Sequence, residues 1–198
     1  NNAYYGGAID LYASGAGSSS TVTITNSVLS KNLATFGGAL MFTSFINTDL
    51  NASISNCLFT ENSLSLGGAV IFYNSPATSS PTTFNNTTFY GNTRVIDVLS
   101  GSGSPAFKNC IVWGNTSFNP GNNVTVSSSI VEGGFTGATN RDPLFVNPNN
   151  PIGPDGIWAT ADDGLRVGHL SYAIDNGNPS GAPLTDIRGV ARNNPVDM

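Results

Sequence analysis

Three features of the sequence predict an all-β fold built as a parallel β-helix. A motif pair recurs with a period of about 30 residues, short runs alternate apolar with small polar residues, and Asn, Ser, Thr and Gly take the place of charge on the surface. The 198 residues suffice for one solenoidal domain that buries most of its apolar area. Only 10% are charged, 7 Lys+Arg against 12 Asp+Glu for a net charge of −5, which argues against a nucleic-acid partner. Asn occurs 25 times and Gly 23 times, a composition that favours turns and short strands and disfavours a helical bundle. Mean hydropathy is −0.02, and no uninterrupted apolar stretch approaches the roughly 18 residues of a membrane-spanning helix.

The chain opens on Asn1-Asn2-Ala3-Tyr4-Tyr5-Gly6-Gly7, with neither the basic start nor the apolar core of a signal peptide. It opens inside a repeat, so a mature product or a fragment of a longer chain is expected. Gly-Gly-Ala followed by an aliphatic residue appears at Gly6, Gly37 and Gly67, each about one period from the last. Between these copies runs a second motif, Asn and Asn with five positions between: Asn26 to Asn32, Asn56 to Asn62, Asn86 to Asn92 and Asn109 to Asn115, with Ser128 to Gly134 as a degenerate fifth. Its starts keep the full period from Asn26 to Asn56 to Asn86, then draw closer at Asn109 and closer again at Ser128. The loops therefore shorten while the unit stays.

Each unit begins with an alternating strand, Thr21-Val22-Thr23-Ile24-Thr25, then Asn51-Ala52-Ser53-Ile54-Ser55, later Asn123-Val124-Thr125-Val126-Ser127. Superposed, the units give an inward column Ile24, Ile54, Phe84, Phe107, Val126 and a second, Leu29, Phe59, Phe89, Val112, Val131. A third, Phe36, Leu66, Ile96, precedes the Gly-Gly corner, and Ile9/Leu11, Leu40/Phe42 and Val70/Phe72 follow it. A unit this short cannot bury its apolar face alone and must stack on its neighbours about 4.8 Å away. Asn suits the corners because it tolerates left-handed backbone angles and its amide can bond to the Asn above and below. A helical solenoid of similar period is excluded by the Gly-Gly pairs and the β-branched alternation.

Cys57 and Cys110 fall in the small column with Ser27, Thr87 and Ser129, two coils apart, too far for a disulfide, so both are expected free. Lys31 over Glu61 is expected to form an exposed ion pair.

The Gly-Gly-Ala repeats together with Phe59-Thr60-Glu61-Asn62 and Phe89-Tyr90-Gly91-Asn92 resemble the repeats of polymorphic outer-membrane proteins and related bacterial right-handed β-helix surface proteins, over residues 1 to about 135. Asp142-Pro143-Leu144-Phe145-Val146, Tyr172-Ala173-Ile174-Asp175-Asn176-Gly177 and Thr185-Asp186-Ile187-Arg188-Gly189 resemble the C-terminal end of large secreted bacterial proteins called choice-of-anchor proteins. The resemblance, with the crossover rule, implies a right-handed single-stranded β-helix and an extracellular or cell-surface place. Residues 1–135 are expected to form its coils and 136–198, rich in proline from Pro143 to Pro195, its irregular last coils and a cap over the open apolar end.

The densest cluster of acids is the loop Asp155 to Gly164, where Asp155, Asp162 and Asp163 make a candidate calcium site of hard oxygen donors, with a solvated turn as its alternative. Thr23, Ser53 and Thr83 form a flat outward face, and Tyr90 and Trp113 share another outward column, a candidate surface for a glycan or a host-cell ligand. Charged residues before position 135 do not gather by column, and His169 has no acid or cysteine beside it in sequence, so no catalytic residues are assigned. The expected function is a non-catalytic surface stalk or adhesin. A polysaccharide lyase or glycoside hydrolase of the β-helix type, and an ice-binding face, remain the alternatives.

Overall fold

In a computed structural model of the chain, Asn26, Asn56, Asn86, Asn109 and Ser128 all turn the backbone into the left-handed region, with φ between 45° and 54°. At each of these corners one strand ends and another begins. The structure describes residues 1–15, 17–45, 48–66, 71–74, 81–100, 104–118, 120, 123–193 and 196–198, with 72–74 and 99–100 described by their backbone alone. Gly67, Val70 and Pro195 lie outside these residues, as does the side chain of Phe72.

The described residues hold strands and no helix, and every strand pairing is parallel. Four sheets result. The first contains Ser19–Thr25, Asp49–Ser55, Thr82–Asn85, Ala106–Lys108 and Thr125–Ser127. Across the Asn corner lies the second, with Val28–Ser30, Leu58–Thr60, Thr88–Tyr90, Ile111–Trp113, Ser129–Val131 and Ala138–Thr139. The third holds Asn2–Tyr5, Leu33–Phe36 and Ser63–Leu64, and the fourth Ile9–Ala13, Leu40–Ser44, Ile71–Asn74 and Ile96–Ser100. The chain visits the sheets in that order and pairs each strand with its counterpart one repeat earlier.

Both expected inward columns are in register. Ile24, Ile54, Phe84, Phe107 and Val126 are successive partners, and so are Leu29, Phe59, Phe89, Val112 and Val131. Stacking of like on like is direct: the Phe59 and Phe89 rings lie 4.9 Å apart and 17° from parallel, those of Phe84 and Phe107 4.7 Å and 22°. Stacking of this kind adds about 1 kcal/mol per pair beyond the burial of the rings.

The third column is corrected. Leu66 is 85% exposed, Phe36 pairs with Tyr5, and Ile96 is buried in the fourth sheet opposite Ile71. Where the repeat shortens, between Asn86 and Asn109, the chain runs from Asn92 to the fourth sheet without a third-sheet strand, so equal offsets from Asn no longer mean equal places. A second correction is one residue of register: Ile71, not Val70, stands opposite Leu40, and both Ile71 and Leu40 are fully buried. Slipping by one would turn Ile71 outward. The Gly-Gly corners are required by close approach, since a Cβ on Gly7 would stand 2.1 Å from the Gly38 carbonyl oxygen and one on Gly38 2.5 Å from that of Ser63.

The C-terminal segment lies elsewhere than expected. Phe118, Phe135 and Ala138 pack against the main core, with Phe118 and Phe135 ring to ring at 5.6 Å. Residues 141–198 instead run along the side of the stack, over the outer face of the second sheet, where Ile111, Ile130 and Ala173 form a separate core with Trp113, Phe145, Val167, Tyr172 and Met198 against it. The reason is in the strands themselves. Val28-Leu29, Leu58-Phe59, Ile111-Val112 and Ile130-Val131 are apolar on both faces, so the second sheet needs a cover on its outside.

Candidate functional site

The two Asn columns divide the work that each was expected to do. Asn32, Asn62, Asn92 and Asn115 form a continuous ladder: the side-chain amide of each donates to the Oδ1 of the next at 2.9, 3.0 and 2.9 Å. That same Oδ1 also accepts the preceding Asn's backbone N–H at 3.0 Å. The amides of Asn62, Asn92 and Asn115 donate further to the carbonyls of Leu29, Phe59 and Phe89. Left-handed backbone here falls one residue earlier, on Lys31, Glu61, Gly91 and Gly114.

The first column, Asn26, Asn56, Asn86 and Asn109, supplies the left-handed corner and a docking rail. Asn56 donates to Asn26 Oδ1 at 3.1 Å and to the Thr185 carbonyl at 2.7 Å, and it accepts from the Arg192 guanidinium at 3.0 Å. Asn86 donates to the Asp197 carbonyl at 2.8 Å, and Asn109 exchanges two bonds with Asn178 at 2.7 and 2.9 Å. Beside it Asn85 donates to the Gly181 carbonyl and Lys108 to that of Ser180. Sequence reasoning placed these asparagines and missed their partners, since nothing local ties Asn109 to Asn178.

A cavity of about 330 Å³ remains between this rail and the segment, floored by Val28, Leu58 and Ile111 and walled by Asp163, Arg188 and Arg192. Most of its charge is engaged: Asp186 and Arg188 pair at 2.8 Å, and the Arg192 guanidinium donates to Asn56 and to the Asp197 carbonyl, its buried Nε being left without a partner among the described residues. Burial pulls the Arg192 pKa down against the opposing charges of Asp186 and Asp197.

Thr23, Ser53 and Thr83 are in register and exposed on the outer face of the first sheet, followed by Ala106. Tyr90 and Trp113 are also in register, but on the second sheet, around the Asn corner from that face. The two groups therefore do not form one surface. Tyr90 and Trp113 line a cleft of about 300 Å³ whose far wall is Asp142, Leu144, Phe145 and Pro148. Tyr90 meets the Phe145 ring edge-on at 5.4 Å, and burial, then the charges of Glu132 and Glu61, push its phenol pKa up.

Compared with family models, with curated proteins and with solved structures, the chain matches none.

The acidic loop is built to satisfy itself. Asp162 accepts from the Asp155 backbone at 3.0 Å and from the Thr160 hydroxyl at 2.6 Å; Asp163 accepts from Ala159 and Thr160 backbone N–H, and Asp155 from that of Ile157. The Thr160 hydroxyl and then the Asp155 amide hold the Asp162 carboxyl below its ordinary value, whereas burial pushes that of Asp163 up. Among the described residues no three acidic, His or Cys side chains converge on a point that could hold a metal ion. His169 is exposed. The Lys31–Glu61 pair forms at 3.5 Å on the surface, and Cys57 and Cys110 are free and buried. Among the described residues no helix is long and apolar enough to cross a membrane.

Proposed function

We propose that the chain is a right-handed parallel β-helix that serves as a non-catalytic, extracellular structural and adhesive module of a bacterial surface protein, binding glycan on its outer faces. The observation that carries this reading is the amide ladder Asn32–Asn62–Asn92–Asn115 running unbroken beside two in-register apolar columns. Such a stack is a stiff scaffold whose outward residues repeat at strand spacing, the geometry of an extended docking surface. Three surface ion pairs favour the same reading: Lys31 with Glu61, Arg94 with Asp97, Arg188 with Asp186. A low net charge and a surface of amides and hydroxyls match a glycan better than a polyanion.

A glycan array probed with the whole chain, paired with an assay for released reducing or unsaturated sugar, tests the proposal. Retention on defined glycans without sugar release is the expected result. Release of product would establish the enzyme instead, and neither binding nor release would leave only the structural role.

A further inference from the structure

We propose that the cleft between Tyr90, Trp113 and residues 142–148 is a subsite for a single uncharged pyranose ring, an inference that rests on the glycan-binding reading and locates it. Tyr90 and Trp113 come from adjacent strands at the same register position, so both aromatic side chains leave the second sheet on one side. Tyr90 is held in place. Its ring is braced edge-on by Phe145 and lies so close over Gly114 that a Cβ there would meet Tyr90 Cε2 at 2.6 Å. A fixed aromatic side chain offers the apolar C–H face of a sugar a surface at little cost in side-chain entropy.

The mouth of the cleft carries backbone strain. Leu144 is 42% exposed and sits at φ 53°, a conformation that bulky side chains rarely adopt. It is fixed there by the Asp142 carboxylate, which accepts the Leu144 backbone N–H at 2.8 Å, and by Gly168, whose N–H donates to the Leu144 carbonyl at 2.7 Å. An exposed leucine held in a strained turn beside two aromatics is costly for stability and useful as an apolar lip.

Electrostatics selects the ligand. Asp142 stands in the wall, and Glu61 and Glu132 are near enough to act on the Tyr90 phenol. The base next in sequence, Arg141, is engaged over the Tyr172 ring at 4.6 Å. A carboxylate accepts sugar hydroxyls well, while Asp142 in the wall and Glu132, whose carboxylate accepts the Gly114 backbone N–H at 2.7 Å, repel a uronate, sulfate or phosphate; the charge of Glu61 is paired with Lys31. The volume of about 300 Å³ is at the lower end for small-molecule sites, which suits one ring.

The test is saturation-transfer NMR and calorimetry on the whole chain with matched probes: the methyl glycopyranosides of glucose, galactose and mannose, the corresponding methyl glycuronides, and choline. At least one neutral glycoside should bind, with its glycuronide about tenfold weaker at low salt and the gap narrowing at high salt. Leu144→Asn keeps a residue tolerant of the turn and removes the apolar lip, so it should weaken binding about fivefold or more without loss of folding. Asp142→Asn should weaken the glycoside and narrow the gap to the glycuronide. The proposal is overturned if a glycuronide or choline binds more tightly than every neutral glycoside, if none of the probes binds, or if both variants bind as the unaltered chain does. Array binding that survives both variants would place glycan recognition elsewhere, on the Thr23 face for instance, and leave the adhesive module standing. Loss of all array binding in the unaltered chain would remove that broader reading as well.

Discussion

Asn62 donates its side-chain amide to Asn92 Oδ1 at 3.0 Å while its own Oδ1 accepts both the backbone and side-chain N–H of Asn32. It is 1% exposed. One side chain thus satisfies buried polar groups on the passes before and after its own, including the Leu29 carbonyl.

Replacing Asn62 with Ala leaves two Asn32 donors and two carbonyl-type oxygens buried without that partner. The expected loss is about 3 kcal/mol or more, since each unsatisfied buried group costs roughly 1–3 kcal/mol. Asn115→Ala, at the half-buried end of the ladder, should cost about 1 kcal/mol. Urea denaturation of both variants measures the difference; equal small losses would mean that the ladder contributes little.

Glu61 and Gly91 occupy equivalent left-handed positions, at φ 54° and 66°. Lys31→Gly or Glu61→Gly should raise stability by about 1 kcal/mol less whatever the exposed ion pair contributes. Gly91→Ala has room, with Glu61 Cγ 3.7 Å from the new Cβ, and should cost about 1 kcal/mol for its backbone alone. Gly114→Ala must also displace Tyr90 and should cost clearly more. Thermal melts of the set give the order.

Burial pushes the Cys110 thiol up from 9.0 to about 12 and raises that of Cys57. A raised folded-state pKa on an acid means that the folded chain holds its proton longer, so stability should be intact below pH 9 and fall between pH 9 and about 12. Cys110→Ala should flatten that alkaline decline relative to the unaltered chain. Native protein should show no thiol reacting with an aromatic disulfide reagent at neutral pH, and two per chain once unfolded. Rapid reaction of either thiol in the native state would contradict the packing.

Asn56 binds the C-terminal segment through both Thr185 and Arg192. Asn56→Ala should expose the Arg188–Arg192 region to trypsin while the sheet signal in circular dichroism stays. If cleavage is unchanged, the Asn column is not what holds the segment.

The acidic loop commits its carboxylate oxygens to its own amides and to Thr160. Millimolar calcium should therefore leave the melting temperature where chelator leaves it. A calcium-dependent rise that disappears in Asp162→Asn would establish the ion site.

Much of this fold was legible because the repeats announce their own register. Ile24 over Ile54 and Phe59 over Phe89 follow from fixed offsets to Asn, and the shrinking steps from Asn86 to Asn109 to Ser128 signal lost loops. Offsets fail where a whole side of the unit disappears, which is why Ile96 lands in the fourth sheet. They also cannot show contacts between repeat and non-repeat sequence, such as Asn109 with Asn178. The adjacent apolar pairs Leu58-Phe59 and Ile111-Val112 did carry a readable sign that the second sheet is covered on both faces. For the candidate site, the in-register pair Tyr90 and Trp113 was legible, whereas the wall at Asp142 and Leu144 depends on the docked segment.

Parallel, in-register stacking of the repeats along an amide ladder is open to isotope-resolved nuclear Overhauser spectroscopy. Interstrand contacts are expected between residues one full repeat apart, Ile24 with Ile54 and Leu29 with Phe59, and across the shortened repeat, Phe84 with Phe107. The side-chain amide protons of Asn32, Asn62 and Asn92 should be protected from exchange and close to one another. Close Hα–Hα contacts of antiparallel pairing among these strands, or freely exchanging Asn62 and Asn92 amides, would contradict it.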